Sequence, residues 1–153
     1  MDDNRGTGRP PGDARPPLRV EEIATARSAA RLRQQCHDWL ILDVPSSVVD
    51  DLLLVVYEAL ANAAEHAYVD HTDGPGPLRL EARRTDGHIL ITVSDEGSWR
   101  APTGDRFRGR GLPLMRHLAQ DVRVASGHDG TVVALRLCLE SAGEPSGECL
   151  GDL

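Results

Sequence analysis

Lysine is absent from this 153-residue chain: its 17 basic side chains, histidine apart, are all arginine. That absence excludes a P-loop, whose mechanism needs a lysine on the phosphates. Aromatic residues make up only 3% of the chain against 40% hydrophobic residues overall, so the core must be aliphatic, built from Leu, Val, Ile and Ala. Cys36, Cys138 and Cys149 are odd in number and far apart, with no C-x-x-C pair. They fit neither a zinc site nor a disulfide framework and read as free thiols in a reducing cytosol. His37, His66, His71, His88, His117 and His128 show no H-E-x-x-H or similar metal spacing. No apolar run approaches the length of a membrane span or a signal-peptide core. The expectation is a soluble, cytoplasmic protein without a membrane partner. Basic charge is also in deficit, with a net charge of −7, which argues against direct nucleic-acid binding as the main business.

The length suits one ordinary domain with a real core. Residues 1–17 are Gly, Pro, Asp and Arg with almost nothing apolar, and the composition predicts a disordered tail. Residues 141–153 read the same way, with Glu144, Glu148 and Asp152 making that tail acidic. The folded domain is therefore expected over 18–140. Within it, residues 25–42 carry the apolar spacing of an amphipathic helix, which Pro45 breaks. Ser46 or Ser47 can cap a second helix running to about Tyr68, with Leu52, Val55, Val56, Ala59, Leu60 and Ala63 as its packed stripe. The Pro- and Gly-dense loop 70–77 ends it. Residues 78–82 alternate as a half-buried strand, Asp86-Gly87 signals a hairpin turn, and 88–94 form the return strand. Residues 96–108 have no periodicity and read as a flexible loop. A short helix follows at 111–119, with Pro113 in its first turn, then a hairpin of strands at 122–125 and 131–139. Helices over one face of a mostly antiparallel sheet make an α+β, two-layer sandwich.

The most informative stretch is E-A-L-A-N-A-A-E-H-A-Y at residues 58–68. Residues at i, i+4 and i+8 lie at about 0°, 40° and 80° around a helix, so Glu58, Asn62 and His66 share one face. A carboxylate can serve as a base, and a carboxamide oxygen can ligate a hard cation such as Mg²⁺. The same spacing describes the solvated face of an ordinary amphipathic helix, and the stretch alone leaves both readings open. Downstream, Asp95-Glu96-Gly97 follows an apolar strand, Gly109-Arg110-Gly111-Leu112 opens a helix-like run, and Gly130-Thr131 opens another strand. A carboxylate beside a glycine at a strand end can accept from an exocyclic amine, although D-x-G is most often a plain turn. Bare N–H groups ahead of a helix can meet phosphates, although a lone G-x-G has little specificity.

Taken in order and at these intervals, the motifs resemble those of the GHKL superfamily of ATP-binding domains, which includes gyrase and the sensor histidine kinases. The resemblance spans about residues 20–139. Within that superfamily, E-A-x-x-N-A-x-x-H-A-Y and a compact G-x-G-L are most similar to the anti-sigma-factor serine/threonine kinases of Gram-positive bacteria. The resemblance implies the GHKL (Bergerat) fold and ATP with Mg²⁺ as cofactors. It makes Glu58 the general base and Asn62 the metal ligand. It assigns adenine reading to Asp95 with Gly97, assisted by Thr131, and assigns the phosphates to Gly109, Arg110, Gly111 and Leu112. One of Arg106, Arg108 or Arg110 would contact the γ-phosphate; arginine suits bidentate phosphate contact. The chain departs from the common pattern at Trp99, where a second glycine is usual, which points to a lid that packs differently.

The function so implied is an ATP-dependent protein serine/threonine kinase acting as an anti-sigma factor. Its partners would be a sigma factor and a STAS-domain anti-anti-sigma protein, and a homodimer is a further expectation of the family. An ATP-binding regulatory module without phosphotransfer is the alternative. The catalytic half of a split histidine kinase is a third reading, disfavoured because the chain lacks a helical hairpin bearing a phospho-acceptor histidine.

Overall fold

A computed structural model of the chain describes residues 15–85, 87–98 and 121–139. The elements run β1 (Leu18–Ile23), α1 (Ala26–Leu40), α2 (Ser46–His66), β2 (Pro77–Thr85), β3 (His88–Asp95), β4 (Asp121–Gly127) and β5 (Gly130–Cys138). The strands form one sheet in the order β1-β2-β3-β5-β4, every pair antiparallel. Residues 99–108 of the loop expected at 96–108, the short helix at 111–119, the Gly109–Leu112 turn and the acidic tail lie outside the described residues.

Alternation decides the faces. Leu78, Leu80 and Ala82 of β2, Ile89, Ile91 and Val93 of β3, and Val133, Leu135 and Leu137 of β5 are buried on one side. Their in-between neighbours point to the open side and are half-buried or exposed. The buried rows join Leu32, Cys36 and Leu40 of α1 and Leu52, Leu53, Val56, Leu60 and Ala63 of α2 in one cluster. Trp39 is the one buried aromatic among the described residues, so the core is aliphatic. The two-layer α+β sandwich with helices on one face is the fold expected above.

Local signals explain most boundaries. Thr25 caps α1 reciprocally with Ser28: the Thr25 Oγ1 accepts from the Ser28 N–H at 3.1 Å, and Ser28 Oγ accepts from the Thr25 N–H at 2.9 Å. Neither Ser46 nor Ser47 caps α2. Pro45 holds the cap position without a side-chain bond, and its carbonyl accepts from Val48 and Val49. Strand β1 has no counterpart in the sequence reading. The adjacent Glu21 and Glu22 blur its alternation, and as the edge strand it buries no residue fully. Gly87, between β2 and β3, has φ 79°, the positive angle that a two-residue hairpin turn requires. Arg15 and Pro16, which composition assigns to the tail, are held. Arg15 lies 4.5 Å over the Trp39 ring and bonds Asp43, and Trp39 Nε1 donates to the Pro16 carbonyl. Among the described residues no helix is long and apolar enough to cross a membrane.

Burial pushes the Cys36 thiol up to about 12 from an ordinary 9.0. The fold therefore favours the protonated form. Its contribution to stability is complete below the ordinary 9.0 and is lost as pH rises towards about 12. Because the thiolate is the reactive species, Cys36 should resist iodoacetamide at pH 8 in the native protein and react on unfolding in urea. Labelling at equal rates in both states would contradict this.

Candidate functional site

The row Ile89, Ile91, Val93 ends on Asp95, so strict alternation carries a carboxylate onto the helix-facing side. Asp95 is only 6% exposed. Its cross-strand neighbours are Leu78 of β2, fully buried, and Thr131 of β5. Thr131 is 2% exposed, and its Oγ1 has no hydrogen-bond partner among the described residues. Leaving a buried hydroxyl unsatisfied costs about 1–3 kcal/mol, so the atom marks a place where a polar group from outside fits. Asp95 Oδ1 accepts from the Gly97 N–H at 2.9 Å, which fixes one edge of the carboxylate.

Two glycines allow this approach of backbones. A Cβ on Gly130, whose φ is 129°, would lie 1.9 Å from the Asp95 carbonyl oxygen. A Cβ on Gly97 would lie 2.1 Å from the Ala67 carbonyl oxygen, and the Ser98 N–H donates to that same oxygen at 2.9 Å. Gly97 therefore seats the end of α2 against the end of β3, a reason for the glycine that its motif does not reveal.

That contact sets the C-terminal end of α2, the helix that carries the motif, against the end of β3. Asn62 lies five residues before Ala67, about 7.5 Å along the axis at 1.5 Å per residue. Asn62 is half-buried at the border of the packed stripe, whereas Glu58 and His66 on the same face are exposed. Glu96 turns the other way, and its Oε1 meets Arg79 Nη2 at 2.6 Å. Of the expected site residues, Glu58, Asn62, Asp95, Gly97 and Thr131 are described. Asp95, Gly97 and Thr131 come together at the end of the sheet, and Asn62 and Glu58 lie on α2, whose end meets Gly97. Arg106, Arg108, Gly109, Arg110, Gly111 and Leu112 lie outside the described residues. Sequence reasoning gave no role to Tyr68, whose hydroxyl touches both β2 and the Glu96 backbone; only its place in the helix motif signalled it.

The donor set fits a purine nucleotide with a hard cation. A buried acceptor and a hydroxyl unsatisfied among the described residues suit an exocyclic amine and a ring nitrogen, and a carboxamide oxygen is a Mg²⁺ ligand type. Among the described residues no cluster of His, Cys, Asp or Glu forms a metal site of its own.

Comparison with known proteins agrees with this geometry. Residues 23–137 match the histidine kinase-like ATPase domain. The structure of the RsbU and RsbW domains of Rv1364c from Mycobacterium tuberculosis is similar at 28% identity and a TM-score of 0.62, over 81% of this chain and 32% of that one. The histidine kinase domain of the Erythrobacter litoralis EL346 blue-light activated histidine kinase shares the fold at 24% identity and a TM-score of 0.53, over 77% of this chain and 65% of that one. A further structure of that kinase gives 24% identity and a TM-score of 0.54, over 76% and 42%. This chain thus spans about a third of the first of these chains and less than two thirds of the others. With its five-stranded antiparallel sheet, its helices on one face and this match, the chain belongs to the histidine kinase-like ATPase domain family, of the GHKL type.

Proposed function

We propose that the chain is an ATP-dependent protein serine/threonine kinase acting as an anti-sigma factor. It phosphorylates a STAS-domain anti-anti-sigma protein and sequesters a sigma factor. The observation that carries the reading is the Thr131 hydroxyl, without a hydrogen-bond partner among the described residues, at the position across the sheet from Asp95, with Asn62 and Glu58 on the helix whose end meets Gly97. The likeness to an RsbW domain at 28% identity supports the anti-sigma class, and the net charge of −7 suits a basic partner such as a sigma factor.

In this reading Asp95 accepts a hydrogen bond from the adenine amine and Thr131 completes the contact. Asn62 holds Mg²⁺, which when bound neutralises charge on the phosphate oxygens. Gly109, Arg110, Gly111 and Leu112 receive the phosphates, and one of Arg106, Arg108 or Arg110 contacts the γ-phosphate. Glu58 takes the proton from the serine or threonine hydroxyl as its oxygen bonds to the γ-phosphorus and the bond to ADP breaks. Such a transfer needs positioning and charge compensation more than covalent chemistry. The exposure of Glu58 suits the role, since the hydroxyl arrives on another protein.

Incubating the full chain with γ-labelled ATP and each candidate STAS protein from the same genome tests the proposal. The expected result is label on a serine or threonine of one STAS protein. Nucleotide binding with no transfer to any of them would leave an ATP-binding regulatory module instead.

A further inference from the structure

The β2–β3 ladder ends at the pair Leu78 and Asp95. The next bond of that ladder would join Pro77 and Glu96 directly, but the Tyr68 hydroxyl is interposed. It donates to the Pro77 carbonyl at 2.6 Å and accepts from the Glu96 N–H at 2.8 Å. The hydroxyl thus tethers the first backbone group after Asp95 while keeping it off the ladder. The chain can then turn, so that the Gly97 N–H reaches back to Asp95 Oδ1 and the Ser98 N–H reaches Ala67.

The Tyr68 ring sits in a built slot. A Cβ on Gly76 would come within 2.5 Å of its Cε1. His71 packs edge-on with ring centroids 5.2 Å apart, and its Nε2 lies 3.3 Å from Ser98 Oγ. These contacts tie the turn after α2 to the start of β2 and to the segment 95–98. Burial, the largest cause, raises the Tyr68 pKa above its ordinary 10, so at neutral pH the hydroxyl keeps the proton that it donates to Pro77.

We propose that Tyr68 is a positioning residue for base selection: by holding the Glu96 N–H it sets the direction in which Asp95 presents its carboxylate to the exocyclic amine of a purine. The proposal rests on the reading of Asp95 as the adenine acceptor given above. A residue that only supports the fold would affect all nucleotides alike. A residue that aims Asp95 affects only those that carry the amine.

The test compares ATP with purine riboside triphosphate, which lacks the amine, by calorimetric titration of the full chain with Mg²⁺. The variants are Tyr68→Phe, which removes the hydroxyl and keeps the ring, and Gly76→Ala, which keeps the hydroxyl and displaces the ring. Wild type should prefer ATP. Each variant should lose about tenfold of that preference, about 1.4 kcal/mol, while binding purine riboside triphosphate as wild type does. Gly76→Ala carries the test if Tyr68→Phe does not fold. Equal loss for both nucleotides, or a preference left intact, would overturn the role of Tyr68 and leave Asp95 in place. A wild type without preference would remove the Asp95 reading, and this proposal with it.

Discussion

Glu58→Gln is expected to leave Mg²⁺–ATP affinity within about twofold of wild type and to lower phosphoryl transfer about 10²- to 10⁴-fold, the range that general-base catalysis supplies. The substitution keeps size and helix propensity, since Glu and Gln rank together. It removes no packing, because Glu58 is exposed and lies outside the buried stripe of α2. What it deletes is the ability to take a proton. Asn62→Ala should divide the other way: the fold survives on the better helix former, and the Mg²⁺-dependent part of nucleotide affinity is lost. Single-turnover transfer and calorimetric binding, measured on the same preparations, separate the two. A fully active Glu58→Gln variant would end the general-base assignment.

The second large effect is expected at Asp95. Asp95→Asn can keep an oxygen for the Gly97 N–H while turning an NH₂ group towards the adenine amine, a donor against a donor. A hydrogen bond to a charged group contributes about 1.5–3 kcal/mol and an unsatisfied donor costs about 1–3 kcal/mol. ATP affinity should therefore fall about 100-fold or more, at 1.4 kcal/mol per tenfold. Guanine presents a carbonyl at the same ring position, so GTP should bind the variant better than it binds wild type. Thr131→Val, which replaces a hydroxyl without a partner among the described residues with a methyl of similar shape, should weaken ATP binding with little loss of thermal stability. Wild-type protein that binds GTP as tightly as ATP would contradict the base-reading role of Asp95.

How much of this was legible in the sequence depends on how local each signal is. The long apolar stripe of α2 and the alternation of β2, β3 and β5 are periodic over many residues, and they marked the helices, the faces and the aliphatic core. The link between Asp95 and Thr131 came only from the resemblance; that β3 pairs with β5, so that both residues continue a buried row to its end, was not read from the strands. Strand β1 was hidden because it lies at the sheet edge, with Glu21 and Glu22 adjacent and Ile23 exposed. The start of α2 was misread because serine at a helix start is a strong cap signal, yet Pro45 takes the cap and its carbonyl accepts the first bonds. The Tyr68 hydroxyl between Pro77 and Glu96 has no periodic trace at all, since it joins segments 9 and 28 residues away. The purpose of Gly97 was likewise invisible, because it depends on how α2 ends against β3.

In the proposed function, one nucleotide site joins Asp95 and Thr131 to Asn62 on α2. Its most direct test is an NMR titration of the isotope-labelled full chain with ATP, first with Mg²⁺ and then with paramagnetic Mn²⁺. The expected result is shifts at the amides of Asp95, Gly97 and Thr131, together with broadening by Mn²⁺ centred on the Asn62 side-chain amide and weaker at Thr131. Shifts confined to the open face of the sheet, or Mn²⁺ broadening that spares Asn62, would contradict it.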